Sequence, residues 1–161
     1  MKEFSGDASI EVDSSPRTVF DLLTNVDRLP EWNAAIEAVE DDHGQLQVGS
    51  EWTVTMHPPH MPRWFSISTV RVLDPNHFRF SYETRNADGN PSRVEWSWRV
   101  TPTATGAAIS VEWTCRLETF DRRVFAGPIR KRQLAREVPG SLAALADHLA
   151  ARSESTTTDQ S

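Results

Sequence analysis

Three side chains of this sequence could take part in acid–base chemistry on an organic substrate: Tyr82, Arg71 and His57. Tyr82 falls on the apolar face of an alternating segment, and its hydroxyl needs a hydrogen-bond partner when buried. Arg71 would anchor a carboxylate or an enolate if its strand turns odd-numbered residues inward, and is a surface charge if even-numbered residues face inward. His57 could exchange a proton near neutral pH. These three residues are the candidate catalytic groups.

Two histidines close together in the sequence also suggest a metal site. On a helix, His57 and His60 would share one face, but here Pro58 and Pro59 separate them in a loop. No carboxylate or third histidine lies nearby in sequence. Nucleophile-elbow, phosphate-loop, dinucleotide and zinc motifs are absent as well. We therefore expect no metal and no cofactor, and we interpret both histidines as rim residues.

Large apolar side chains define the predicted ligand site. Each large aromatic residue can bury about 150–250 Å², which suits either a solid core or the wall of a cavity for a planar apolar molecule. Trp64 follows the proline-rich loop and is placed at the mouth, with Phe120 and Phe125 closing the other side. The candidate ligand-binding residues are Trp52, Met56, Trp64, Phe80, Tyr82, Trp96, Trp98, Trp113, Phe120 and Phe125.

The alternation of apolar and polar residues predicts an antiparallel sheet with one dry and one wet face. It is clearest in residues 94–100 and 109–117. On the wet face, Arg93, Glu95 and Arg99 are expected to pair across strands with Glu112 or Arg116. Other strands are expected at residues 3–12, 35–41, 47–57, 64–73 and 78–83, with two short helices at 16–25 and 27–32 between the first and second strands.

The last helix, expected at residues 121–151, must cover the dry face of the sheet. Upstream of residue 134 its apolar stripe lapses, because the same face passes through Lys131, Pro128 and Gly127. A helix packed tightly at one end and loosely at the other leaves space against the sheet, and there we expect the ligand. The stripe itself has helical spacing and consists of Leu134, Val138, Leu142, Leu145 and Leu149.

Size and charge limit the classes of protein that fit. The 161 residues suit one domain, 1–152, followed by a polar tail, 153–161, that is expected to be disordered. A net charge of -6 argues against a nucleic-acid binder. The basic run within 121–136 is interpreted as a solvated helix face, with a patch for an acidic partner as the alternative. The single Cys115 excludes an intramolecular disulfide and is interpreted as a buried residue.

Targeting signals are also absent from the sequence. No apolar run is long enough to span a bilayer, and the N-terminus lacks the apolar core of a signal peptide. We therefore expect no membrane span and a cytoplasmic location.

The order of elements and three motifs resemble the START-related superfamily, also known as SRPBCC, polyketide cyclase or Bet v 1-like helix-grip proteins. The motifs are residues 15–23, 27–33 and 137–145. The resemblance covers residues 4–151 and implies an α+β helix-grip fold, in which a seven-stranded curved antiparallel sheet wraps around a long C-terminal helix and an apolar cavity. Members of this superfamily range from lipid and hormone carriers to aromatase/cyclases, dehydratases and oxygenase subunits, so fold alone does not identify the chemistry.

Besides an interaction module that meets an acidic partner through the basic run, two functions are compatible with this sequence. The first is binding of a small, largely apolar molecule, aromatic or polyketide-like, by a monomer or homodimer. The alternative is a polyketide aromatase/cyclase or dehydratase in which Tyr82, Arg71 or His57 moves protons around an enolate.

Overall fold

The computed structural model describes residues 2–119 and 127–158, with side chains described as far as residue 152. Its seven strands form one antiparallel sheet in the order β1-β7-β6-β5-β4-β3-β2. The α+β helix-grip prediction is confirmed. The strands are β1 (Lys2–Val12), β2 (Ile36–Glu40), β3 (Glu51–Met56), β4 (Trp64–Asp74), β5 (Arg79–Asn86), β6 (Arg93–Pro102) and β7 (Ala107–Leu117).

Two short helices connect β1 to β2. Helix α1 (Pro16–Thr24) begins where the Ser15 hydroxyl accepts a hydrogen bond from the Thr18 N–H at 3.2 Å, and Pro16 occupies the first turn, where it costs no helical hydrogen bond. A 3-10 helix (Val26–Glu31) follows directly. Both bury their apolar residues against the sheet and so close one end of the fold.

The long helix α2 (Gly127–Thr158) packs across β1 on the inner face of the sheet. All five residues of the predicted stripe, from Leu134 to Leu149, are buried. The helix continues through residues 153–158, which the sequence assigns to a polar tail. The expected first turn at 121–126 and residues 159–161 lie outside the described residues. Within the described residues, no helix combines the length and the apolar character needed to cross a membrane.

From Trp64 to Val70, strand β4 turns its even-numbered residues inward, which settles the orientation that the sequence leaves open. Ser66, Ser68 and Val70 are buried. Arg71 points to the outer face, where its guanidinium lies 3.3 Å from a carboxylate oxygen of Glu83. The interpretation of Arg71 as an inward-facing anchor is therefore wrong.

The outer face of the sheet carries a network of ion pairs. Arg116 on β7 bridges Glu3 on β1 and Glu95 on β6, with both N–O distances at 2.8 Å. Arg93 on β6 lies 3.4 Å from Glu118. The predicted cross-strand pairing of Glu95 with Arg116 is confirmed, and these charges belong to the solvated face.

Candidate functional site

A cleft lies between the first turns of α2 and the inner face of the sheet. Its larger part, the outer chamber, has a volume of about 270 Å³. A smaller part, the inner chamber, has a volume of about 60 Å³ and lies deeper between the sheet and the middle of α2. Ser66, Thr84 and Arg130 line both chambers, so the two are adjacent parts of one site. The cleft therefore lies beside the part of α2 upstream of Leu134, where the stripe of apolar residues is interrupted.

The wall of the outer chamber is mainly apolar. Met61 lies in the loop before β4, and Trp64 is the first residue of that strand. Val94 lies on β6, Leu117 on β7 and Ile129 on α2. Ile129 is 61% exposed, which places it at the opening.

Five aromatic residues contribute to the wall of the inner chamber. Trp32 follows the 3-10 helix and packs edge-on against Trp98 of β6, with ring centroids 5.8 Å apart. The predicted ligand-binding residues that line this chamber are Trp52, Met56, Tyr82, Trp96 and Trp98.

Other predicted ligand-binding residues lie elsewhere. Trp64 lines the outer chamber, as expected for a residue near the mouth. Phe80 and Trp113 are buried but line neither chamber: Phe80 packs against Trp52 and Tyr82, and Trp113 packs against Phe4. Both are core residues in this structure. Phe120 and Phe125 lie outside the described residues.

Tyr82 is the one catalytic candidate that faces the interior. Its phenol oxygen accepts a hydrogen bond from the indole N–H of Trp98 at 3.3 Å. Burial raises the pKa of Tyr82 to about 12. The hydrogen bond from Trp98 lowers this pKa, but by less than burial raises it. The phenol is therefore neutral at physiological pH and offers an O–H donor to the inner chamber.

His57 lies at the rim, outside both chambers. Its Nδ1 is 3.2 Å from a carboxylate oxygen of Glu37, and Arg63 donates two hydrogen bonds to the same carboxylate, at 2.6 and 3.1 Å. These contacts tie the loop after β3 to β2. Tyr82, Arg71 and His57 are thus far from forming one catalytic group, and the described residues contain no set of three or more His, Cys, Asp or Glu side chains arranged for a metal.

A polar line on α2 was missed by the sequence reasoning. Arg130 donates to the side-chain oxygen of Gln133 at 2.9 Å, and the Gln133 amide donates to Glu137, also at 2.9 Å. The spacing of three and four residues places all three on one face of the helix. Burial raises the pKa of the Glu137 carboxyl above its ordinary value, although Arg130 and the Gln133 hydrogen bond act in the opposite direction.

Small hydroxyl residues on the sheet face this line. Ser66 and Ser68 are each only 3% exposed. The Ser68 hydroxyl lies 2.7 Å from that of Thr84, and the Trp64 indole donates to Ser66 at 3.1 Å. Because these side chains are short, they leave room that larger residues would fill. The site thus combines an apolar outer chamber with a polar inner end, an arrangement that can hold an apolar molecule by one polar group.

Similar folds occur in solved structures. The Ara h 8.0201 structure has a TM-score of 0.70 at 15% identity, covering 93% of this chain and 99% of that one. The di-domain ARO/CYC StfQ from the steffimycin biosynthetic pathway has a TM-score of 0.75 at 13% identity, covering 94% of this chain and 52% of that one. The polyketide cyclase-like protein Cgl2372 from Corynebacterium glutamicum has a TM-score of 0.63 at 24% identity, covering 95% of each chain. These structural similarities show that the chain shares its fold with the three proteins.

Sequence comparison identifies the family. No curated protein matches the chain significantly. A family model described as polyketide cyclase / dehydrase and lipid transport matches residues 3–154, nearly the whole sequence. With the helix-grip fold, this match confirms the resemblance to the SRPBCC, Bet v 1-like superfamily. The chain belongs to the polyketide cyclase / dehydrase and lipid transport family.

Proposed function

We propose that this protein binds a small, largely apolar molecule, aromatic or polyketide-like, in the cleft between the sheet and α2. The observation that carries the proposal is the outer chamber, a space that the described residues wall mainly with carbon at the loosely packed end of α2. Ligand pockets for drug-sized molecules measure roughly 300–1,000 Å³. A volume of about 270 Å³ therefore favours a ligand with one or two rings.

The test is a binding titration with a panel of one- and two-ring aromatic compounds and short polyketide mimics, followed by tryptophan fluorescence and by native mass spectrometry. Trp64 in the outer chamber should respond, so Trp64→Phe should lose part of the fluorescence change while still binding. A panel that gives neither a bound mass nor a fluorescence change would overturn the proposal.

A variant at the opening tests the location of binding. Ile129 lines the outer chamber and is 61% exposed, so Ile129→Trp should narrow the opening without disturbing the core. Val48 is 62% exposed and lines neither chamber, which makes Val48→Trp the matched control. We expect weaker binding in the first variant and unchanged binding in the second. Equal binding by both would place the ligand elsewhere.

A second candidate function is that of an aromatase/cyclase or dehydratase acting on an enolate-forming substrate. It is favoured by one observation: Tyr82 shares the inner chamber with Glu137, a carboxyl whose pKa is raised by burial. Such a carboxyl can give and take a proton closer to neutral pH than an exposed one. Turnover of a poly-β-ketone that is lost in Tyr82→Phe and Glu137→Gln would support this function, and turnover unchanged in both would exclude it for these residues.

A further inference from the structure

Two pairs of like charges lie on the outer face of the sheet, on the side opposite the cleft. Asp7 on β1 is directly opposite Glu112 on β7, and Arg79 on β5 is directly opposite Arg99 on β6. All four side chains are exposed. Like charges placed directly opposite each other on antiparallel strands are destabilising. These four residues, the outer patch, therefore carry an electrostatic cost within a single chain.

Other charged residues on this face have partners of opposite charge. Arg116 contacts both Glu3 and Glu95, and Arg71 contacts Glu83. Within the described residues, by contrast, none of the four side chains of the outer patch forms a hydrogen bond or an ion pair. The charges of the outer patch are therefore available to a partner outside the chain.

Arg99 and Glu112 are the nearest opposite charges within the outer patch. Arg99 lies opposite Ser110 and Glu112 lies opposite Ser97, so the two charged residues are diagonal neighbours on β6 and β7. The sequence predicts that they pair, but the structure shows no ion pair between them. The outer patch thus keeps an acidic side and a basic side that are separate.

Asp74 is the carboxylate opposite Arg79 on the neighbouring strand β4. It is already occupied by the turn that follows it. Its oxygens accept hydrogen bonds from two backbone N–H groups of this turn, and one oxygen lies 2.8 Å from Nδ1 of His77. Asp74 therefore does not neutralise Arg79.

The arrangement of the outer patch is self-complementary. The acidic pair lies on β1 and β7, and the basic pair lies on β6 and β5, with β7 next to β6. From the spacing of strands and residues, the centres of the two pairs are roughly 12 Å apart. A two-fold axis that runs parallel to the sheet between them exchanges the two pairs. A second copy related by this axis would place its basic pair on the acidic pair of the first copy, and the reverse contact would form at the same time.

Other kinds of partner fit this surface less well. None of the four side chains lines either chamber of the cleft, and small ligands prefer concave sites. The acidic pair would repel the phosphates of a nucleic acid or an anionic membrane. A partner must carry both signs of charge at a matching separation, and a second copy of the chain does.

The size of the surface is sufficient for an interface. Four strands of about ten residues each cover roughly 650 Å², so two such faces would bury up to roughly 1,300 Å² in total. Specific interfaces bury about 1,200–2,000 Å². The exposed large apolar residues of the described chain lie on elements other than these four strands. The contact would therefore depend on charge and be sensitive to salt.

We infer that the outer face of the sheet is the interface of a homodimer, in which Asp7 and Glu112 of each protomer pair with Arg79 and Arg99 of the other. This inference does not depend on the proposed ligand. Because the interface and the cleft lie on opposite faces of the sheet, both clefts of the dimer stay open.

Sedimentation equilibrium of the full chain, at concentrations up to the millimolar range, tests for the dimer. We expect a reversible dimer whose dissociation constant rises at least about tenfold between roughly 20 mM and roughly 500 mM salt, because screening weakens charge pairs. A chain that stays monomeric throughout this range would overturn the inference, and the outer patch would then be solvated or meet a different charged protein. A dimer that is insensitive to salt would also overturn it.

Charge reversal then locates the interface. Arg79→Glu with Arg99→Glu makes the outer patch wholly acidic, and Asp7→Arg with Glu112→Arg makes it wholly basic. Each double variant alone should dissociate at least about tenfold more readily, because like charges then meet at both contacts. An equimolar mixture of the two should form a mixed dimer, visible by native mass spectrometry, because opposite charges meet again at both contacts. A mixture that stays monomeric, with both variants folded by circular dichroism, would contradict the pairing.

A matched control separates the outer patch from net charge. Arg132 and Arg136 are exposed on α2, so Arg132→Glu with Arg136→Glu changes the net charge as much as the acidic double variant does. This control should dimerise within about twofold of wild type, because it leaves the interface intact. Equal weakening by the control and by the acidic double variant would show that net charge alone governs association and would overturn the interface.

Discussion

The indole N–H of Trp98 donates a hydrogen bond to the phenol oxygen of Tyr82, across the β5–β6 pair, at 3.3 Å. Trp98 lies opposite Phe80 in the register, and Tyr82 lies opposite Trp96, so the bond joins diagonal neighbours on the inner face. Trp98 is 5% exposed. The bond satisfies a buried donor inside an aromatic wall and fixes the position of the phenol oxygen in the inner chamber.

Tyr82→Phe should therefore destabilise the protein. The substitution removes the acceptor and leaves the Trp98 N–H buried and unpaired, which costs about 1–3 kcal/mol in the free energy of unfolding. Urea denaturation followed by circular dichroism measures the change. In the double variant with Trp98→Phe, both polar groups are gone, so the hydrogen-bond part of the cost should not appear twice. A single variant as stable as wild type would contradict the role of the bond.

The titration of Tyr82 can be observed directly, because this is the only tyrosine in the chain. Burial raises its pKa to about 12, from 10.0. The ultraviolet absorbance of tyrosinate should therefore appear near pH 12 in folded protein and about two units lower in urea. Since the folded state holds this proton more tightly, stability should fall as the pH rises above 10. A midpoint near 10 in the folded protein would show that the phenol is open to water.

Gly6 and Gly140 should respond to alanine with opposite signs. A Cβ on Gly6 would lie 2.8 Å from Cε2 of Trp113, inside contact distance, so the buried indole would have to shift. We expect Gly6→Ala to cost about 1–3 kcal/mol. Gly140 lies within α2, and apart from the backbone of its own helix no atom lies within 4 Å of the added Cβ, so Gly140→Ala should stabilise by about 0.5–1 kcal/mol. Thermal denaturation of both variants tests the pair, and a stable Gly6→Ala would contradict the close packing of Trp113.

The sequence predicts the fold well because its strongest patterns are long. The five-residue stripe of α2 and the alternation in β6 and β7 each specify one buried face, and all of these faces are buried as expected. In strand β4 the apolar residues do not mark the buried face. Phe65 is 54% exposed and Val72 is 43% exposed on the outer face, while Ser66 and Ser68 are buried. A register shift between Val70 and Val72 also changes the phase of the alternation, so periodicity could not have placed Arg71.

The candidate site was predicted in outline but not in its polar groups. An inward aromatic face can be read from alternation, yet whether a ring lines a space or fills it depends on its neighbours, as Phe80 and Trp113 show. The line from Arg130 through Gln133 to Glu137 had a usable signal. Leu134 and Val138 fix the buried face of α2, and Gln133 and Glu137 directly precede them. The surrounding basic run obscured this signal, because its members Lys131, Arg132 and Arg136 are exposed.

Glu137→Gln should make the protein more stable at neutral pH. Burial raises the pKa of Glu137 above its ordinary 4.5, so the folded state holds the proton more tightly than the unfolded state does. The free energy of unfolding therefore falls as the pH rises from the pKa of Glu137 in the unfolded state to its pKa in the folded state. Above both pKa values, the folded protein bears the full cost of a buried charge. Glutamine avoids this cost and can still accept the hydrogen bond from Gln133. We expect urea midpoints at about pH 7 to favour the variant and the difference to shrink at about pH 3, where the wild-type carboxyl is protonated in both states. Glu11→Gln, at an exposed residue of β1, should change stability by less than about 0.5 kcal/mol at either pH. If Glu137→Gln differed from wild type by the same amount at both pH values, its effect would come from packing and not from the buried charge.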